Sequence, residues 1–185
     1  MLRAVSPDQP VLRLAGLEDV DAIDALMKTS ITAIFPRFYT EAQTAASVKY
    51  IGSVDRTLIE DGTYFVLEAD GEIVACGGWS RRDKLYTGSG DAAGDGRLLD
   101  PTSEPARVRA MFVRGDWTRR GLGTRILEAC ESAAREEGFR TLALAATLPG
   151  VLLYERYGFI AGAHVPVTMP DGTTVGAVAM DKQVK

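Results

Sequence analysis

The sequence predicts a single α/β (α+β) domain built around one mixed sheet, and three observations carry that expectation. Residues 63–69 and 72–79 are β-rich runs joined by Asp70-Gly71, a dipeptide suited to a tight hairpin turn. After Val113 the apolar period switches from two to about 3.6, with Ile126, Leu127, Cys130, Ala133 and Ala134 on one stripe. Residues 141–146 are then almost all apolar, as a strand is when both faces of its sheet are covered.

The remaining elements follow in chain order. Residues 11–14 alternate and read as a first strand. From Glu18, the residues Val20, Ile23, Leu26 and Met27 recur at helical spacing, with Asp19 and Asp21 at the end where a helix favours anions. Pro36 ends or interrupts this helix, residues 35–39 form an aromatic-rich loop, and a second helix is expected over 40–51. Beyond the hairpin, residues 80–104 are rich in Gly and Asp and poor in apolar residues, which predicts a long loop. Residues 107–113 are a strand, and the helix that follows stops at Gly138. Pro149 opens a short helix that runs to Tyr157 and ends at Gly158. Residues 159–168 and 173–180 are strands joined through Pro170-Asp171-Gly172. The order is strand, two helices, three strands, helix, strand, helix, two strands, with no internal repeat.

At 185 residues the chain suits one ordinary domain. Residues 1–10 are expected to be a tail and 11–185 the domain. A composition of 46% hydrophobic and 25% charged residues argues against disorder, collagen-like repeats and a disulfide scaffold. The net charge of -4 argues against a nucleic-acid binder, which usually carries a basic excess. Cys76 and Cys130 are expected to be buried free thiols. The first ten residues lack an apolar stretch long enough for a signal peptide. No run of about 18 apolar residues exists, so no membrane span is expected, and a cytoplasmic location follows by default.

The most informative stretch is 111–124, where a strand enters a basic, glycine-bearing loop that opens a well-formed amphipathic helix. Helix N-termini present unpaired N–H groups and the positive end of the dipole. Glycine allows close backbone approach, and Arg119 and Arg120 add charge, so the segment reads as a phosphate or pyrophosphate cradle. A P-loop would need Gly-Lys-Ser/Thr, and no Lys is present. A dinucleotide fingerprint needs a third Gly where Ile126 stands.

Thr118-Arg119-Arg120-Gly121-Leu122-Gly123 resembles the coenzyme A loop of the Gcn5-related N-acetyltransferase (GNAT) family, whose core pattern is Gln/Arg-x-x-Gly-x-Gly/Ala. Both glycines fit, and Thr118 departs at the first position. Leu153-Tyr154-Glu155-Arg156-Tyr157-Gly158-Phe159 resembles that family's second signature. The resemblance implies a mixed, mostly antiparallel sheet of about seven strands flanked by about four helices, with strands four and five splayed and coenzyme A entering the gap. It implies acetyl-CoA as co-substrate and transfer of its acetyl group to an amine of a small molecule or protein by direct attack. Backbone groups of Met111, Phe112 and Val113, with residues Thr118, Arg119, Arg120, Gly121, Leu122, Gly123 and Thr124, would bind the cofactor. Tyr154 would donate a proton to the departing thiolate, whereas Tyr157 stands in the wrong register for it.

The resemblance also leaves a gap. Some relatives carry a Glu on the fourth strand as base, but here Arg107 stands at about that position and cannot accept a proton. Asp83, Asp100, Glu104 and Asp116 lie near the expected acceptor entrance in sequence, and a base acting through water is an equal option. The acceptor wall implied by the family comprises Phe35, Tyr39 and Trp79, with Phe38, Tyr86 and His164 as further candidates, and core packing is the competing explanation for each. Arg81, Arg82 and Lys84 are offset by Asp83, Asp91, Asp95 and Asp100, as in a solvated loop. A sensor that binds acyl-CoA without chemistry is the alternative function, and a homodimer is compatible with the family. No Cys/His/Asp cluster suggests a metal site.

Overall fold

The computed structural model describes residues 9–84 and 96–185. Most of the expected tail, the middle of the expected 80–104 loop, and Tyr86, Asp91 and Asp95 lie outside the described residues. Among the described residues the chain forms a seven-stranded sheet with the order β1-β2-β3-β4-β5-β7-β6. Its strands are β1 (Val11–Leu14), β2 (Tyr64–Ala69), β3 (Glu72–Ser80), β4 (Ala106–Val113), β5 (Thr141–Thr147), β6 (Ile160–Thr168) and β7 (Thr174–Gln183). The helices are α1 (Val20–Ile34), α2 (Glu41–Tyr50), α3 (Arg56–Glu60), α4 (Leu122–Glu136) and α5 (Val151–Tyr157).

The expected elements are present, with one helix more than expected. Helix α3 has five residues, too few for a periodic pattern to emerge. Its start is nevertheless chemical: the Asp55 side chain accepts from the Thr57 backbone N–H at 3.0 Å, a standard N-cap bond. Helix α2 opens on a full capping box between Thr40 and Gln43.

Strand alternation sends adjacent residues to opposite layers. Leu67 joins the core under α4, with Ile126, Leu127, Cys130, Leu142 and Leu144. Val66 joins the opposite core, with Val20, Ile23 and Met27 of α1 and Leu58 of α3. A third cluster joins Ile31, Phe35 and Tyr39 to Val167, Val175 and Ala177 of β6 and β7. Both cysteines are free and fully buried. Among the described residues no helix is long and apolar enough to cross a membrane.

Two departures from regular pairing shape the centre of the sheet. Strands β4 and β5 are the parallel pair, and they are in register only at Ala106↔Leu142 and Arg107↔Ala143. Beyond that point they part, which opens a cleft in the sheet. The second departure is a bulge in β4. Cys76 faces Phe112, whereas Gly78 faces Arg109, so β4 carries one extra residue there. Ala110 takes the strain, with φ at 53° in the left-handed region.

Candidate active site

The cleft is lined by Val108, Arg109, Ala110, Met111 and Phe112 of β4 and by Leu144, Ala145 and Thr147 of β5. Tyr154 of α5, Ile51 and Val167 complete its lining. Its lining residues are mostly apolar, with Arg109, Thr147 and Tyr154 the polar ones. Burial pushes the Tyr154 phenol upward from its ordinary pKa, so it is protonated at neutral pH and able to donate. Its ring is fixed edge-on against Phe159, with centroids 5.8 Å apart, and it packs against Gly150.

Of the expected cofactor residues on β4, Met111 and Phe112 line the cleft. Val113 follows them at the end of β4, where its carbonyl accepts from Ser30 Oγ at 3.1 Å. The chain leaves β4 into the basic loop. Thr118 turns its hydroxyl back to donate to the Gly115 carbonyl at 3.0 Å. Arg119 and Gly121 both take left-handed backbone, at φ 61° and 78°. Left-handed residues in a turn tilt neighbouring N–H groups into one concave face, which suits an anion. Gly121 is the N-cap of α4, and no side chain caps that end. The first-turn N–H groups of Leu122, Gly123 and Thr124 are therefore left to solvent or a ligand. Among the described residues neither Arg119 nor Arg120 has an ion-pair partner. The Arg120 guanidinium lies over the Trp117 ring at 4.5 Å, which holds it beside the loop.

The two glycines of the loop have different physical reasons. Gly121 faces open space but has a positive φ, so its requirement is conformational. A Cβ on Gly123 would lie 2.7 Å from Leu153 Cδ2, so its requirement is the close passage of α4 and α5.

The residues expected to form the acceptor wall lie in core contacts. Trp79 is 1% exposed and packs edge-on against Phe139 in the core beneath α4, away from the cleft. Phe35 and Tyr39 stack on each other in the third core cluster. The Tyr39 hydroxyl is fully used, donating to the Gly176 carbonyl at 2.7 Å and accepting from Leu148 N–H at 2.8 Å. None of the three lines the cleft. Aromatic residues in a loop are as useful for packing two layers as for walling a pocket, and here packing has claimed them. Phe38 is exposed, and His164 is exposed on the edge strand β6.

The carboxylates considered as bases are engaged elsewhere. Asp83 pairs with Arg107 at 3.0 Å. Glu104 binds Arg97, Asp100 accepts from Thr102 and Ser103, and Asp116 pairs with Arg114. None of these lines the cleft. Arg109, next to the bulge, pairs with Asp55 at 3.2 Å, and Asp55 also meets Lys84 at 3.2 Å. Tyr157 is turned away, donating to Glu131 at 2.7 Å. Among the described residues no group of His, Cys, Asp and Glu forms a metal site.

Sequence reasoning missed Ala110, Arg109 and Thr147. A signal for the bulge was present: apolar and basic residues alternate from Ala106 to Arg109, and then Ala110-Met111-Phe112-Val113 runs without alternation. Such a break in the period of two marks a slip in strand phase.

No curated protein sequence matches the chain. Solved structures share its fold. A Gcn5-related N-acetyltransferase from Rhodopseudomonas palustris superimposes with a TM-score of 0.72 at 19% identity, covering 97% of this chain and 99% of that one. The PaiA N-acetyltransferase from Thermoplasma acidophilum, in complex with coenzyme A, has a TM-score of 0.63 at 11% identity, covering 94% and 98%. The protein yncA from Salmonella typhimurium, with its cofactor acetyl-CoA, has a TM-score of 0.61 at 17% identity, covering 95% and 94%. The acetyltransferase (GNAT) family model matches residues 28–159, most of the chain. With the splayed β4 and β5, the uncapped start of α4 and Tyr154 in the gap, that match identifies the chain as a member of the GNAT acetyltransferase family.

Proposed function

We propose that the protein transfers the acetyl group of acetyl-CoA to a primary amine by direct attack, in the cleft between β4 and β5. The observation that carries this reading is the junction at the end of β4. There an apolar slot with a protonated phenol meets a left-handed, cationic loop and an uncapped helix start. The donor set fits the coenzyme: N–H groups and arginines suit its phosphates, and the apolar walls suit its pantetheine arm and acyl group. Thr118 departs from the family pattern, but the loop offers backbone N–H groups, which do not depend on that side chain.

Acetyl-CoA supplies an activated carbonyl and a thiolate leaving group. The amine nitrogen forms the new C–N bond, the C–S bond breaks, one proton leaves nitrogen and one reaches sulfur. Tyr154 delivers the proton to sulfur as general acid. The Met111 N–H, beside the bulge, would stabilise charge on the carbonyl oxygen. Water carries the amine proton away, since none of the described lining residues is a carboxylate.

That same lack of a lining carboxylate favours a second reading, an acyl-CoA sensor without chemistry. Titration calorimetry with acetyl-CoA, followed by free-thiol release across a library of amines, tests both. Binding with amine-dependent thiol release supports transfer. Binding with background release for every amine supports the sensor. Absence of binding at sub-millimolar acetyl-CoA overturns both.

A further inference from the structure

We propose that Tyr64, which lies two strands from β4 and outside the cleft, is a positioning residue for acetyl transfer: its phenol fixes the Ala110 carbonyl and thereby aims the Met111 N–H at the thioester oxygen. The inference rests on the acetyl-transfer reading above.

Tyr64, Gly78 and Arg109 form one row across β2, β3 and β4. The middle residue of that row has no side chain. A Cβ on Gly78 would lie 2.7 Å from Tyr64 Cδ2 and 2.5 Å from the Thr63 carbonyl oxygen. The bare glycine therefore lets the Tyr64 ring lie across β3. At the far side the Tyr64 hydroxyl donates to the Ala110 carbonyl at 2.6 Å. The ring is 0% exposed, among Val20, Ile23 and Met27 on the α1 side of the sheet. Burial, and next the neighbouring Cys76 thiol, keep the phenol protonated and so a donor.

The acceptor of this bond is the residue that bears the strain. An alanine at φ 53° holds that conformation only where its surroundings fix it. A trans peptide is planar, with its C=O and N–H pointing in opposite directions. An Ala110 carbonyl turned to Tyr64 sends the Met111 N–H away from it. Met111 and Tyr154 pack with the α4-side core, opposite the cluster that holds Tyr64. The N–H is thus directed to the side of the cleft that carries the proposed acid. A hydrogen bond to the carbonyl also polarises the same peptide, which strengthens its N–H as a donor. Tyr64 acts on the reaction through the peptide between Ala110 and Met111 and touches no reacting atom.

The test is isotope-edited infrared spectroscopy of acetyl-CoA, labelled with carbon-13 at the thioester carbonyl and bound to the full chain. Wild type is expected to lower the carbonyl stretch relative to free acetyl-CoA. Tyr64→Phe is expected to lose most of that lowering. Its kcat should fall on the order of tenfold to a hundredfold, a part of what loss of a whole oxyanion donor costs, while affinity for acetyl-CoA changes little. Tyr64→3-fluorotyrosine keeps the shape and strengthens the donor, so it should deepen the lowering. That variant decides the matter if Tyr64→Phe does not fold. An unchanged carbonyl stretch in a folded variant overturns the positioning role while the transfer reading stands. Failure of wild type to bind acetyl-CoA overturns the transfer reading, and the inference with it.

Discussion

Gly123 and Leu153 meet where α4 passes α5, and a single methyl group on the glycine would lie 2.7 Å from Leu153 Cδ2. The same helix start has no side-chain cap on its N–H groups and packs tightly toward α5, the helix that carries Tyr154. Gly123→Ala gains helix propensity of about 1 kcal/mol and loses about 1–3 kcal/mol to overpacking. Leu153→Ala removes the obstructing atoms. A double-mutant cycle by chemical denaturation should show Gly123→Ala destabilising in the wild-type background and stabilising beside Leu153→Ala. The coupling should be about 1–2 kcal/mol, as for residues in contact. Additive effects would mean that the close approach does not govern this position.

The cationic loop should matter only for the phosphate end of the ligand. Arg119→Ala and Arg120→Ala should each raise the KM for acetyl-CoA about tenfold at low salt, the loss of a charge-assisted contact worth about 1.5 kcal/mol. The effect should shrink as salt is added. S-acetylpantetheine lacks the nucleotide and its phosphates, so its KM should hardly change. Equal losses with both donors would place the arginines in folding or acceptor binding. Trp117→Leu removes the ring beneath Arg120 and should reproduce part of the Arg120→Ala effect.

Much of this arrangement was legible in the sequence because it rests on local chemistry. The Asp70-Gly71 turn, the stripe from Ile126 to Ala134 and helix α2 are fixed by neighbours in the chain. The glycine loop announced itself by spacing. The packing partners of Tyr39 and Trp79 were not legible: Gly176 and Leu148 for Tyr39 and Phe139 for Trp79 lie between 60 and about 140 positions away in the chain. Which face an aromatic residue takes depends on such partners, and no short window contains them. The role of Tyr64 was hidden for the same reason: its partner Ala110 is 46 positions away, and the bulge that presents Ala110 leaves only a break in alternation.

Tyr154→Phe separates chemistry from binding. The substitution keeps the ring against Phe159 and removes the proton donor. It should lower kcat about a hundredfold, within the usual worth of a general acid, with little change in acetyl-CoA affinity. Steady-state thiol release and calorimetry on one preparation measure both. A kcat for amine transfer equal to wild type would remove Tyr154 from the mechanism. A large loss of affinity would mean that the hydroxyl holds the ligand instead. Tyr157→Phe serves as the contrast, since that hydroxyl binds Glu131 and its loss should reduce stability with kcat preserved.

Acid should unfold the protein by protonating carboxylates that the fold has paired, and Glu131 is among the most enclosed of them. It is 8% exposed and accepts from Lys182 Nζ at 2.6 Å, Tyr157 OH at 2.7 Å and Lys185 N at 3.0 Å. Burial by itself raises its pKa, but the hydrogen bonds from Lys182, Tyr157 and the Lys185 N–H outweigh it, and the net shift is downward. Asp19, held by Arg13, and Asp61, held by Arg82, are lowered as well. A carboxylate with a depressed folded-state pKa stabilises the fold above its unfolded value, about 4.3 for Glu. That contribution is lost as pH falls through the folded value. Melting temperature should therefore be nearly flat from neutral pH to about pH 5 and fall steeply below about pH 4. Glu131→Gln leaves Lys182 buried without its counter-charge, which should cost about 3 kcal/mol at neutral pH. The variant should also lose less on acidification than wild type, because one proton-linked group is gone. Thermal melts of both proteins across that range decide it: parallel curves would show that Glu131 does not contribute to the acid transition.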